Sequence, residues 1–238
     1  MRALYLKLKP HLKRRCAAGL LIAVSAWTAP APASATDIVE VLVHSNELRQ
    51  QARADADADS PRAVILRASW VRLEGLGLVA KMPQLRVVKG NLDAEAVMGR
   101  TVVASEGLAE LPEGERLLVL AHELGHVAMG HWDEQCRLYK RFVPGEVKPE
   151  TTDPIAHELG GQAHQQAHRH EFAADAFGYR VIRRLGFEPT AAYGLMLRLG
   201  APQDTPTHPG TRKRLAQLRM LEGDLQRGTV QAAVEVER

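Results

Sequence analysis

The sequence predicts an α+β fold, mostly helical, with one small sheet. Three observations point there. Several stretches repeat apolar residues at helical spacing, the strongest running from about Glu113 to Trp132. Only two short runs, Leu85–Val88 and Thr101–Ala104, read as strands. At 238 residues, with 45% hydrophobic and 25% charged residues, the chain has the balance of one ordinary globular domain rather than of a disordered segment.

The elements follow in order. Thr36–Gln51 carries Ile38, Val41, Leu42 and Leu48 at roughly helical spacing and reads as a first helix. Ala52–Ser60 reads as a frayed end or loop, and Val64–Glu74 as a second helix, stopped by Gly75 and Gly77. After the strand at Leu85–Val88, Asn91–Gly99 reads as a polar connection leading to the second strand, and Gly107–Gly114 as a turn. The long helix from Glu113 buries Leu117, Leu118, Leu120, Ala121 and Leu124. Residues 142–154 hold three prolines and several charges and read as a surface loop. A His- and Gln-rich stretch, 155–170, enters a helix ending near Leu185-Gly186; Ala191–Leu199 is a short helix, Gly200–Gly210 a loop, and Thr211–Gln226 a last helix. Residues 36–228 are expected to form the domain and 229–238 a loose tail.

The charge belongs to the leader. Residues 1–35 hold six of the 31 lysines and arginines and none of the 28 acidic residues, so the body is slightly acidic and offers no charge argument for nucleic acid. Basic sequence to Arg15, an apolar run from Cys16 to Trp27 and Ala33-Ser34-Ala35 together read as a signal peptide cleaved after Ala35. The alternative is an uncleaved anchor. Cleavage predicts a periplasmic chain with no membrane-spanning segment and one cysteine, Cys136, a partly buried thiol without an internal disulfide partner.

The chemistry centres on His122-Glu123-Leu124-Gly125-His126. Two histidines four apart on a helix lie about 40° from each other around its axis, so both imidazoles can meet one tetrahedral zinc, one ion per chain. Glu123 beside the first can take a proton from an activated water. A catalytic site needs a third protein ligand. A third histidine six residues after His126 is excluded because Trp132 stands there, and His131, at about 500° from His126 on a continuing helix, leaves the metal-facing side as an ordinary helix-end histidine. A carboxylate from a later helix is the other possibility. Glu171-Phe172-Ala173-Ala174-Asp175 puts two carboxylates on one face, with small residues allowing close approach. Glu171 can then bind the metal and Asp175 can accept the second N–H of His122. The competing reading of that pair is a solvated helix face.

At these residues the sequence resembles the M48 family of zinc metallopeptidases, gluzincins that include the CAAX prenyl proteases. His122-Glu123-Leu124-Gly125-His126 and Glu171-x-x-Ala174-Asp175 carry the likeness, and Thr207-His208-Pro209 followed by Arg214 is similar to the family's His-Pro motif and arginine. Upstream, the turn at Asn91–Gly99 and the run from Thr101 to Leu108 resemble its asparagine turn, edge strand and Gly-Leu, with Leu92 where an aromatic is usual. The resemblance covers roughly residues 60–220 and implies a gluzincin-like domain whose small sheet lines the active-site cleft with its edge strand. It implies that Thr101, Val102, Val103 and Ala104 form that strand and pair with an extended substrate. It further implies that His208 and Arg214 lie near the metal, where either could stabilise an oxyanion or His208 could occupy the open coordination position.

The function expected is a zinc endopeptidase acting on exported or misfolded polypeptides. A zinc-stabilised binding or chaperone-like protein and a zinc hydrolase of small peptides are the alternatives. Two further features are set aside. His157-Glu158-Leu159-Gly160 repeats the motif but ends at Gly161, so no metal is assigned there. His164, His168 and His170 read as a polar helix face, the alternatives being an auxiliary metal or the rim of the cleft.

Overall fold

Residues 113–128 form a helix whose Leu117, Leu118, Leu120 and Leu124 are fully buried in the main core. A computed structural model describes residues 36–200 and 203–228; the leader with its cleavage site, and the tail at 229–238, lie outside the described residues. In chain order the elements are α1 (Ile38–Gln51), α2 (Pro61–Glu74), β1 (Gln84–Val88), β2 (Ala94–Val97), β3 (Thr101–Ser105), α3 (Glu113–Ala128), α4 (His131–Phe142), α5 (Pro149–Thr152), α6 (Ala156–Arg184), α7 (Pro189–Leu199) and α8 (Thr211–Gln226). The fold is α+β and mostly helical, as the periodicity predicts. No described helix is long and apolar enough to cross a membrane.

Local chemistry sets the helix starts. Asp37 caps α1 by accepting from Val39 N at 2.7 Å while Glu40 accepts from Asp37 N, a reciprocal capping box. Ser60 caps α2 at Ala63 N, and Pro61 takes the first helical position, where a missing N–H costs nothing. The core then forms from Leu66, Trp70 and Leu73 of α2, Leu117, Leu120 and Leu124 of α3, Tyr179 and Ile182 of α6, Leu195 of α7 and Leu218 of α8. Each such buried side chain contributes about 1.5–3 kcal/mol relative to exposure. Tyr179 is fully buried and donates to Glu222 Oε2 at 2.6 Å, which ties α6 to α8.

Three expectations are corrected. First, the polar connection at Asn91–Gly99 contains a strand, β2. Its sequence, Ala-Glu-Ala-Val, has little intrinsic β preference; it is held by antiparallel pairing with β3 and by a tight turn over Met98–Arg100, in which Met98 and Gly99 both take positive φ and Arg100 N donates to Val97 O at 3.2 Å. Second, Thr101, Val102, Val103 and Ala104 do not form an edge strand. The order is β1-β3-β2, with β1 parallel and β2 antiparallel to β3, so both hydrogen-bonding edges of β3 are used. Val102 and Ala104 face the main core while Val103 packs with Val88 and Val97, so both faces of β3 are covered as well. A substrate cannot pair there. Third, the helix from Glu113 does not run to Trp132. It stops at Ala128, Gly130 adopts φ +64°, and α4 begins at His131.

The outer edges of the sheet differ. Segment 54–56 covers β1 through Ala56 N to Val87 O at 3.0 Å and Lys89 N to Ala54 O at 2.8 Å. No strand covers β2 among the described residues. It is therefore β2 that presents an edge, and it does so beside α3.

Candidate metal centre

The site is built where α3 and α6 come closest. Gly178 makes that approach possible: a Cβ there would lie 3.1 Å from the backbone nitrogen of His122 and 3.0 Å from Leu118. Ala174, fully buried, keeps the same face narrow one turn earlier. Glu171 and Asp175 are thereby carried onto the two histidines of α3.

His122 Nε2 and His126 Nε2 lie 3.1 Å apart. Glu171 places Oε2 at 3.5 Å from the first and Oε1 at 3.3 Å from the second. The three side chains are those among the described residues whose ligand atoms converge as a potential metal set. They fit a zinc ion. Ligands about 2.0–2.1 Å from one tetrahedral zinc sit about 3.3 Å from each other, which is the spacing of these atoms. Glu171 Oε2 is buried without a hydrogen-bond partner among the described residues, a state that is costly unless a cation faces it. Burial opposes ionisation of Glu171, but the imidazoles of His122 and His126 beside it hold its carboxyl well below the usual range.

Behind His122 stands an ion pair. Asp175 Oδ1 lies 3.0 Å from His122 Nδ1 and accepts from Arg214, whose Nη2 reaches Oδ1 at 2.5 Å and whose Nε reaches Oδ2 at 2.7 Å. Asp175 is buried, and although burial alone would raise its pKa, Arg214 and His122 hold it low. Burial likewise opposes charging His122, yet Asp175, which accepts from its Nδ1, and the Glu171 carboxylate beside it push its pKa up to about 10.

Behind His126 stands His131, which corrects its expected place off the metal-facing side. The left-handed turn at Gly130 reverses the path that a continuous helix would have followed, and His131 Nδ1 comes within 2.9 Å of His126 Nδ1. Its ring stacks on His170 at 3.9 Å and 3°, and His170 donates to Glu134 at 2.8 Å. Burial, with His170 and His126 nearby, lowers the pKa of His131 to about 3.

His208 arrives from the loop before α8, with Nε2 3.6 Å from Glu171 Oε1 and its side chain 56% exposed. Its loop is fastened to α6: His164 donates to Pro206 O at 3.0 Å and His168 to Thr205 O at 2.8 Å. Periodicity put these histidines on one helix face but had no signal for the carbonyls they meet. Two cavities adjoin at Glu123, Glu171 and His208. One, of about 460 Å³, runs along Asp93–Ala96 of β2 towards Trp132 and Gln166. The other, of about 260 Å³, is walled by Leu111, Val119, Leu195 and Met196. The edge at the cleft is thus β2, in place of Thr101–Ala104.

Comparison with known proteins bears on the α3 part of the site. Residues 69–142, which include both histidines of α3, match the family model described as Peptidase family M48. Among solved structures the chain is similar to Ste24p of S. mikatae, with 16% identity and a TM-score of 0.48 over 76% of this chain and 56% of that one. The chain therefore spans little more than half the length of that relative. No curated protein sequence matches. The periplasmic location expected from the leader finds no support in these comparisons and is withdrawn. The match to the Peptidase family M48 model passes through His122, Glu123 and His126 and ends at residue 142, before Glu171.

Proposed function

We propose that the chain is a zinc-dependent endopeptidase that hydrolyses peptide bonds of extended, misfolded polypeptides. The observation that carries this reading is the convergence of His122, His126 and Glu171 at ligand spacing around an unsatisfied buried oxygen, beside Glu123 at the junction of two open cavities.

His122, His126 and Glu171 would hold one zinc ion. Bound there, zinc supplies the Lewis acidity that activates a water and polarises the scissile carbonyl. Glu123, buried on α3 and lining both cavities, takes a proton from the attacking water and delivers it to the departing amine nitrogen, leaving a carboxylate and a free amine. Asp175 fixes the tautomer of His122 by accepting from Nδ1. Arg214 commits Nε and Nη2 to Asp175 and so acts as a positioning residue, whereas the exposed His208 is free to donate to the developing oxyanion. The substrate backbone lies along the free edge of β2, which gives affinity with little sequence preference. Cavities on both sides of Glu123 favour cleavage within a chain over hydrolysis of small peptides.

The test measures zinc content and casein cleavage for the unmutated chain and for Glu123→Gln. One zinc in each, with cleavage lowered by about 10²–10⁴ in the variant, supports the reading. Zinc in both without cleavage in either supports a binding or chaperone-like role. No bound zinc rejects the metal centre.

A further inference from the structure

We infer that His131 is a positioning residue of the metal centre, accepting the Nδ1–H of His126 and so fixing the tautomer that leaves Nε2 of His126 free to ligate. The inference rests on the proposed zinc site at His122, His126 and Glu171. A histidine that binds metal through one nitrogen carries its proton on the other, and that proton requires an acceptor. For His122 the acceptor is a carboxylate. For His126 the atom that faces Nδ1 is a ring nitrogen, Nδ1 of His131, at 2.9 Å. Two facing nitrogens can share one proton only if one donates and the other is bare. Since Nε2 of His126 is turned to His122 and Glu171, at 3.1 and 3.3 Å, its proton belongs on Nδ1, and Nδ1 of His131 must be the bare acceptor.

The surroundings hold His131 to this task. It is 7% exposed. Its ring lies flat on His170, itself anchored to Glu134, so the acceptor cannot swing away without breaking the stack. The left-handed Gly130 sets the ring on this side of the site in the first place.

The experiment measures zinc affinity of the full chain by competition with a chromophoric chelator for the unmutated protein, His131→Phe and His131→Asn. Phenylalanine keeps a flat ring on His170 but offers no acceptor; asparagine offers Oδ1 near the position of Nδ1. His131→Phe should bind zinc about 10–100-fold more weakly, with His131→Asn restored to within a few-fold of the unmutated chain. Equal affinity of the phenylalanine variant and the unmutated protein overturns the role of His131 alone. Failure of the unmutated chain to bind zinc overturns the metal centre and this role together. Should the phenylalanine variant not fold, ¹⁵N spectra of the zinc-loaded unmutated protein decide the matter. A neutral His131 protonated at Nε2 is expected, and a proton on its Nδ1 overturns the inference.

Discussion

His122 and His126 offer the same atom to the same point, yet they are supported from behind by different chemistry. His122 is backed by Asp175, wholly buried and matched by the fork of Arg214. His126 is backed by His131, an uncharged ring stacked on another ring. The first support is a charge pair in which each member depends on the other. The second is a single neutral hydrogen bond whose position is set by a turn. Glu171 turns a buried oxygen without a hydrogen-bond partner among the described residues toward the same point, where a divalent cation would meet it. The difference teaches where the site is brittle: loss of a charge on the His122 side leaves another charge buried, while loss of the acceptor on the His126 side leaves only an unused N–H.

The largest effect should therefore come from Asp175→Ala. Arg214, with 12% side-chain exposure, would lose the carboxylate that its fork holds and keep only Glu171, 4.0 Å from Nη1. Removing one member of such a pair costs about 3–5 kcal/mol, or roughly 6–20 °C of melting temperature for a domain of this size. Pairing Asp175→Leu with Arg214→Met should restore most of the stability by calorimetry but not the zinc affinity, since His122 Nδ1 still lacks its acceptor. Recovery of both would mean that Asp175 acts through stability alone.

The His126 side breaks more gently. Gly130 has φ +64° and open space around it, so a methyl group meets no neighbour and the cost of Gly130→Ala lies in the backbone. That cost is about 1–2 kcal/mol. Relaxing the turn would also move His131 from His126, so zinc affinity should fall with stability, less than in His131→Phe. A chemical-denaturation midpoint unchanged by Gly130→Ala would show that the turn is not what holds α4 in place.

The same contrast marks what the sequence made legible. The amphipathic helices, the His122–His126 spacing and the Glu171–Asp175 pair all follow from positions three or four apart on a helix, a regularity that local order preserves. His131 escaped because its place depends on a single left-handed residue that ends one helix and starts the next; Gly130 was the available signal, read against a strong helical pattern. β2 escaped for another reason. Ala-Glu-Ala-Val becomes a strand only through its register with β3, so the pairing partner and not the segment determines it, and the edge that faces the cleft moved one strand over.

The smallest expected effect is at the loop that carries His208. His164 and His168 hold Thr205 and Pro206 through one hydrogen bond each, and both bonds are exposed to water. Each is worth about 0.5–1.5 kcal/mol net, and Asp204 still ties the loop to Gly210 and Lys213 from the other end. His164→Ala with His168→Ala should leave zinc content and the melting temperature nearly unchanged. His208 would then sample more positions above Glu171, so the transition state loses more than the ground state, and kcat for casein should fall a few-fold with KM little altered. A larger loss accompanied by released zinc would place the two histidines in the support of the metal centre, alongside Asp175 and His131, rather than in the guidance of one exposed ring.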